Sequence, residues 1–532
     1  MAWNRQRLEE TARRRMEGAK LVVVANREPY IHARDGEGVR CVFPASGLVT
    51  ALDPVMRACG GTWVAHGAGD ADREMSDAKG RVAVPPDDPR YTLRRVWLTK
   101  QEEQGYYYGF SNEALWPQCH IAYTRPRFDS SDWAMYKSVN RKFADAVLEE
   151  VAGTPAVVFV QDYHFALLPR MLKDARPDLV VVHFWHIPWP NPEAFRICPW
   201  QEEILDGLLG NDILSFHIQY HCNNFLATCD RALESRIDWE HFGVVRGGKT
   251  TRVRPQAISI DVPDESPARI EKSLARARRL RRKFGLGELP VLFGVDRIDY
   301  TKGIPERLRA IDRLLTLHPG HKGRFKFLQI GAPSRTHIPT YRRLGEEIAE
   351  LADQINWRHA ESGWEPIALV PEHHGQEDIE AMYRTATACV VSSLHDGMNL
   401  VAKEFVAARP DLRGSLVLSR FTGAARELTD ALLINPYDAD GFAEALHAAL
   451  IMPEAEQERR MRLMRRQVED NNIWRWAGML LSEAGKLLEA RAPCETVGAS
   501  SDDSSAGEYV AGNVVSVEFR SKAPATTAGG PA

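Results

Sequence analysis

Residues 388–408 read "ACVVSSLHDGMNLVAKEFVAA". The stretch opens as a short apolar, β-branched run, "ACVVSS" (388–393), and closes as a helix-like run, "AKEFVAA" (402–408). Asp396 to Leu400 therefore sit on a strand-to-helix connection, and a strand feeding a helix is the repeating unit of an α/β fold. Connections of this kind at the carboxyl edge of a parallel sheet carry chemistry. Taken alone, the stretch also reads as a tight Asp-Gly turn with a helix cap behind it.

The same alternation extends outward in both directions. Strand-like runs occur at "KLVVVAN" (20–26), "PAVVFVQD" (155–162), "DLVVVHFW" (178–185) and "DILSF" (212–216). A second series is "PVLFGVD" (290–296), "RFKFLQIG" (324–331), "IALVP" (367–371), "ACVVSS", "SLVLS" (415–419) and "ALLIN" (431–435). Near-continuous apolar runs suit strands covered on both faces of a parallel sheet. Helical patterns such as "EDIEAMYRTA" (377–386) and "DGFAEALHAALIM" (440–452) lie between them. In 532 residues this makes two α/β domains. The pattern breaks between 255 and 290, so the expected domains are 1–255 and 256–470, followed by a helix at about 470–490. Residues 491–532 are rich in Ser, Ala, Gly and Thr and are expected to be a disordered tail. The basic run "ARIEKSLARARRLRRKFG" (268–285) reads as a solvated helix face.

Composition excludes several classes. The formal net charge is −4, with 44% hydrophobic and 26% charged residues. No global field draws in nucleic acid or an anionic membrane. Eight scattered cysteines form no CxxC pair and no repeated zinc spacing, so we expect neither a disulfide scaffold nor a metal site. The N-terminal stretch has no apolar h-region and no segment reaches 18 apolar residues, so a cytoplasmic protein is expected.

Chemistry collects at strand ends. In "GVDRIDYTKGIPER" (294–307) a strand ends near Asp296, and Arg297, Lys302 and Gly303 follow. Two cations beside a glycine that admits a ligand to the backbone suit a diphosphate. The plainer reading is a surface loop with solvated charges. If this loop and the Asp396 loop leave one sheet edge, they share a crevice. Backbone N–H groups after Asp396 would favour an anion, and Glu404, one helical turn on, could accept both hydroxyls of a ribose. In the N-terminal half, Arg27 follows the first strand and Gly47 precedes a helix. That strand lacks GxGxxG, which counts against a dehydrogenase. "QDYHF" places Asp162 and His164 at a strand end, and "FWHIPWP" does the same for His186. Tyr107 and Trp116, in "GYYYGFSNEALWPQCH" (105–120), can pack on a sugar face or simply fill core.

Together these segments resemble the trehalose-6-phosphate synthase family of retaining glycosyltransferases, family 20. The ordered motifs are "ANR", "SGL", "FSNEALWP", "DYH", "HIPWP", "DRIDYTKGIPER", "APSR" and "DGMNLVAKE", from about residue 20 to 485. The resemblance implies a GT-B fold: two Rossmann-like domains with parallel sheets facing across a cleft, the last helix returning to the N-terminal domain. It implies glucose transfer from UDP-glucose to glucose 6-phosphate, giving α,α-trehalose 6-phosphate and UDP, with no cofactor or metal.

Carried over by residue, Arg297 and Lys302 would hold the donor diphosphate and Glu404 the ribose. Asp396, Gly397, Met398, Asn399, Leu400 and Val401 would hold the donor sugar and diphosphate, with Gly47 on the loop closing over the donor. His186 would contact the transferred glucose and Asp162 would position the acceptor. Arg27 and Arg335 would bind the acceptor phosphate, helped by Tyr107 and Trp116. The catalytic set implied is Asp162, His186, Arg297, Lys302 and Asp396.

The chain departs from the family pattern at Ser46, His66, Trp189 and His395, and in a longer loop from Arg27 to Gly47. Ser46 and His66 fall in the acceptor-facing domain and bear on acceptor identity. Alternatives are a sister enzyme using another phosphorylated acceptor, such as glycerol 3-phosphate, and a non-catalytic sugar-phosphate sensor. Oligomeric state is open, a homo-oligomer included.

Overall fold

A computed structural model describes residues 3–491, apart from 37, 45, 46 and 264. The expected tail falls outside the described residues except for Arg491. That residue is a correction to the expectation: it ends the last helix, where its guanidinium meets Asp212 and donates to the Leu179 carbonyl at 2.8 Å. Ser46 also lies outside the described residues.

Each of the ten expected runs forms a strand. They build two sheets. The first has ten strands, with a parallel centre ordered Lys249–Pro255, Ile213–Phe216, Val180–Phe184, Ala156–Gln161, Lys20–Arg27, Thr62–His66 and Tyr91–Val96. Antiparallel strands close both edges: Arg236–Asp238 with Gly243–Arg246, and Arg81–Val84. The second sheet has six strands, all parallel, ordered Ile367–Val370, Lys326–Ala332, Val291–Arg297, Ala388–Val391, Ser415–Ser419 and Leu432–Ile434. The central runs are buried along their length, as helices on both faces require.

Strand order fixes where a ligand can enter. In the first sheet the chain leaves Lys20–Arg27 toward Thr62–His66, then returns to the other side at Ala156–Gln161. In the second it leaves Val291–Arg297 toward Lys326–Ala332, then returns at Ala388–Val391. Each reversal opens a crevice at the carboxyl edge of its sheet. The four flanking strands deliver Arg27, Asp162, Arg297 and the Asp396 loop.

In the long loop after Arg27, Ile31–Asp35 pairs antiparallel with Gly38–Val42. The segment Gln104–Leu115 is a π-helix. Gly105 and Gly109 let it lie against the helix Ser130–Glu150, because a Cβ at Gly109 would run into Asp132. The basic helix Pro267–Lys283 is less solvated than expected. Arg276 pairs with Glu377 and Asp378, each at 2.5 Å, and Lys272 with Glu377 at 3.3 Å, so one face is bound to the acidic start of helix Gln376–Thr385. The final helix Ile473–Arg491 packs on the first sheet, with Trp476 against Phe159 and Phe184. No described helix is long and apolar enough to cross a membrane. The seven described cysteines are free.

Candidate active site

The two crevices open into one cleft of about 630 Å³. On the side of the second sheet, Gly303 turns the chain with φ 62°, and a Cβ there would collide with the Ser392 carbonyl. This tight turn directs Lys302 to Asp396, with Nζ 2.6 Å from Oδ2. The same oxygen accepts from Ser393 Oγ and Asn399 Nδ2, both at 3.2 Å. Burial alone would raise the Asp396 carboxyl, but the charge and hydrogen bond of Lys302 hold it well below the usual carboxylate range. Arg307, fully buried, fastens the loop from behind through Asp296 at 2.8 Å, Ser392 at 2.9 Å and Gln329 at 2.7 Å. Arg297 stays exposed to the cleft, with no ion-pair partner among the described residues.

The Asp396 loop approaches the other half closely. A Cβ at Gly397 would strike the His186 carbonyl, so Gly397 is wedged between the halves and does not line the cleft. Asn399, at φ 87°, caps helix Leu400–Ala407 by accepting from Ala402 N at 3.2 Å. Met398, Asn399, Leu400, Val401 and Glu404 line the cleft. Burial raises the Glu404 carboxyl against the hydrogen bond it accepts from Tyr383 at 3.2 Å. Gly47 faces Leu400 from the first half: a Cβ there would lie 3.3 Å from its side chain.

On the side of the first sheet, Asp162 takes a strained φ of 73° and accepts from the backbone of Tyr163 at 2.9 Å and His186 at 3.2 Å. Burial pushes its carboxyl up to about 7 despite these donors and the nearby Arg335 and Arg297. His186 Nε2 donates to Gln161 Oε1 at 2.9 Å, and burial keeps the ring neutral, far below the usual histidine range. Tyr107 stacks on His164 with ring centroids 5.7 Å apart. Burial would raise its phenol, but Arg335, Arg27 and Arg297 together hold it below the ordinary value. Arg27 is exposed in the cleft and has no ion-pair partner among the described residues.

Arg335 bridges the halves. From a left-handed backbone (φ 50°) it reaches Asp299 at 3.2 Å, the Tyr341 hydroxyl at 2.6 Å and the Tyr163 hydroxyl at 3.4 Å. Its guanidinium lies 4.2 Å above the Trp116 ring. Trp116 is thus both core and cleft floor.

The structure therefore gathers every sequence-derived candidate around one cleft, with Gly397 just behind its wall. His66 is not among the lining residues; it ends its strand beside Arg27, and burial pushes its ring down to about 4. His395 Nδ1 donates across the cleft to the His120 carbonyl at 2.8 Å. Sequence reasoning missed His120, Tyr163, His217 and the pair His373–His374, all lining residues. Position offered a signal for some: Tyr163 directly follows Asp162, and His217 follows the strand Ile213–Phe216. Among the described residues, no group of three or more His, Cys, Asp or Glu could hold a metal ion.

A model of glycosyltransferase family 20 matches residues 19–486. The chain belongs to that family. This family 20 chain is 39% identical over 493 residues to the trehalose-6-phosphate synthase of Mycolicibacterium vanbaalenii, spanning 90% of this chain and 97% of that one. It is 38% identical over 471 residues to the synthase of Mycolicibacterium smegmatis, spanning 87% and 91%. Among solved structures it is similar to an E. coli protein bound with UDP-2-fluoro glucose, with a TM-score of 0.77, 30% identity and coverage of 88% and 99%. The α,α-trehalose-phosphate synthase (UDP-forming) of Burkholderia xenovorans in complex with glucose-6-phosphate matches with a TM-score of 0.77, 30% identity and coverage of 87% and 100%. The two facing sheets of this family 20 chain are the GT-B arrangement.

Proposed function

We infer that this chain is a retaining glucosyltransferase that moves glucose from UDP-glucose to glucose 6-phosphate, giving α,α-trehalose 6-phosphate and UDP. One observation carries the reading. Cations from both halves line a single cleft: Lys302 beside Asp396, Arg27 and Arg335 near Tyr107, and Arg297 with its guanidinium 5.9 Å over the Trp116 ring. That arrangement suits two phosphate-bearing substrates meeting end to end. The relatives carry the synthase name, which does not favour a glycerol 3-phosphate acceptor or a non-catalytic sensor.

In this reading Arg297, Lys302 and the backbone from Met398 to Val401 bind the diphosphate, and Glu404 the ribose. Asp396 and His186 orient the transferred glucose. Arg27, Arg335, Tyr107 and Trp116 take the acceptor phosphate, and Asp162 an acceptor hydroxyl. The bond from the anomeric carbon to the diphosphate oxygen breaks, and a bond to the acceptor hydroxyl oxygen forms on the same face. The hydroxyl proton passes to the leaving phosphate oxygen. The developing negative charge falls on Arg297 and Lys302, which is electrostatic catalysis by preorganised groups. Those cations fill the place a divalent ion would take, so activity should survive chelation. A cytoplasmic location belongs to the same reading.

The test is incubation with UDP-glucose and glucose 6-phosphate, with mass spectrometry of the product in EDTA. UDP and a disaccharide monophosphate are expected. No UDP release with any phosphorylated acceptor would overturn the reading.

A further inference from the structure

We propose that Asn112 is a positioning residue for the acceptor, a buried amide that sets Tyr107 directly and Arg335 through Tyr163. The proposal rests on the acceptor assignment above. Asn112 is 1% exposed and does not line the cleft, so any effect it has on a substrate is indirect. Its Nδ2 donates to the Tyr107 carbonyl at 2.7 Å, and its Oδ1 accepts from the Tyr163 hydroxyl at 2.9 Å. The Tyr163 oxygen in turn accepts from Arg335 Nη2 at 3.4 Å, and Arg335 Nη1 donates to Asp299 Oδ2 at 3.2 Å. Asp299 also accepts from Thr301 Oγ1 at 2.9 Å, inside the loop that ends in Lys302.

The direction of each bond is forced. The Tyr107 carbonyl can only accept, so the amide nitrogen faces it and the amide oxygen faces Tyr163. Tyr163 has one hydroxyl proton and gives it to Asn112. Its lone pairs are then free for the guanidinium, which can only donate. Asn112 thus decides that Tyr163 presents lone pairs rather than a proton to Arg335. The π-helix makes the first contact possible. Asn112 is five residues after Tyr107, and one wide turn sets positions five apart one above the other. An α-helical turn would not place this amide over that carbonyl.

The chain therefore links the ring that packs beside the acceptor to the arginine that crosses from the other half. Asn112→Asp keeps the shape, removes the donor and sets a carboxylate against a carbonyl. Asn112→Ala removes both bonds. Kinetics with UDP-glucose and glucose 6-phosphate read the outcome. In both variants the KM for glucose 6-phosphate should rise about tenfold, the cost of one unmet buried polar group, while the KM for UDP-glucose moves less than about twofold. Tyr163→Phe cuts the next link and should shift the same constant in the same direction. Equal rises in both KM values, or wild-type constants in Asn112→Asp, would overturn the proposal. If neither Asn112 variant folds, Tyr163→Phe decides by the same criterion. Should the wild-type protein not use glucose 6-phosphate, the functional reading falls by itself. The crystal structure of Asn112→Asp then decides: displaced Tyr107 and Arg335 side chains support the proposal, and unmoved ones end it.

Discussion

The two walls of the cleft hold their polar groups by opposite means. On the second sheet, cations meet carboxylates: Lys302 with Asp396, Arg307 with Asp296, Arg335 with Asp299. On the first sheet, neutral imidazoles donate to backbone carbonyls. His183 reaches Asp162 at 2.9 Å, His217 reaches His186 at 3.1 Å, His120 reaches Trp116 at 2.8 Å and His221 reaches Trp189 at 3.2 Å. Burial pushes His120, His217 and His221 down to about 3 and His183 down to about 4, so these rings add no charge. The difference teaches a division of labour. In the proposed reading, charge is concentrated where a diphosphate would leave, and uncharged geometry where a sugar would be oriented. Arg27 and the Asp162 carboxyl are the ionisable exceptions on that wall, and in the same reading Arg27 stands where an acceptor phosphate would.

The largest test removes charge from the second wall. Lys302→Ala should lower kcat by roughly a hundredfold or more, as loss of one preorganised transition-state donor does, with the KM for glucose 6-phosphate little changed. A near-normal kcat would erase the contrast between the walls. A smaller test uses acid. A histidine held below its ordinary value binds its proton more readily unfolded than folded. Its contribution to stability is therefore complete above about pH 6.5 and is lost as pH falls toward about 4. Asp162, raised by burial to about 7, has the opposite sign across that whole window, but it is one group against several rings. The ion pair of Asp396, whose carboxyl is depressed, persists until pH falls below the ordinary carboxylate value. Hydrogen exchange at pH 5 should accordingly show the segments around His120, His183 and His217 opening before the Asp396 loop. Simultaneous opening would mean that the walls do not differ in this way. The smallest test is His395→Ala, which deletes one hydrogen bond between the walls. It should cost about threefold in kcat/KM, in keeping with a single net hydrogen bond. A loss near that of Lys302→Ala would show that closure, more than charge, limits the reaction.

Much of the scaffold was legible because its central strands are buried on both faces and so read as unbroken apolar runs, "VVFVQ" (157–161) among them. The outer strands of the first sheet were not. Tyr91–Val96 carries Arg94 and Arg95, a pair that argues against a buried strand. Arg95 is nevertheless fully buried, because Glu28 at 2.8 Å and Asp72 at 2.9 Å meet it there. The π-helix has no periodicity that a 3.6-residue template could find. In the site, Arg297, Lys302 and Glu404 could be read from the residues because each follows a strand end at a meaningful distance. Arg335 came only through family resemblance, since nothing local in "APSR" points across a cleft. Apart from His120 to Trp116, four residues back, the histidine bonds were invisible for a simpler reason: they join side chains to carbonyls far away in sequence, His395 to His120 above all.

The hairpin that closes one edge of the first sheet turns at Gly247–Gly248, with φ 56° and 74°. Its inner strand, Lys249–Pro255, runs parallel to the strands that deliver Arg27 and Asp162. The turn therefore stands at the amino edge of that sheet, while the cleft opens at the carboxyl edge. For an engineer this is a handle on the far side of the molecule. A tag, a tether or a fused partner attached at Gly247–Gly248 has the full length of the strands between it and the chemistry.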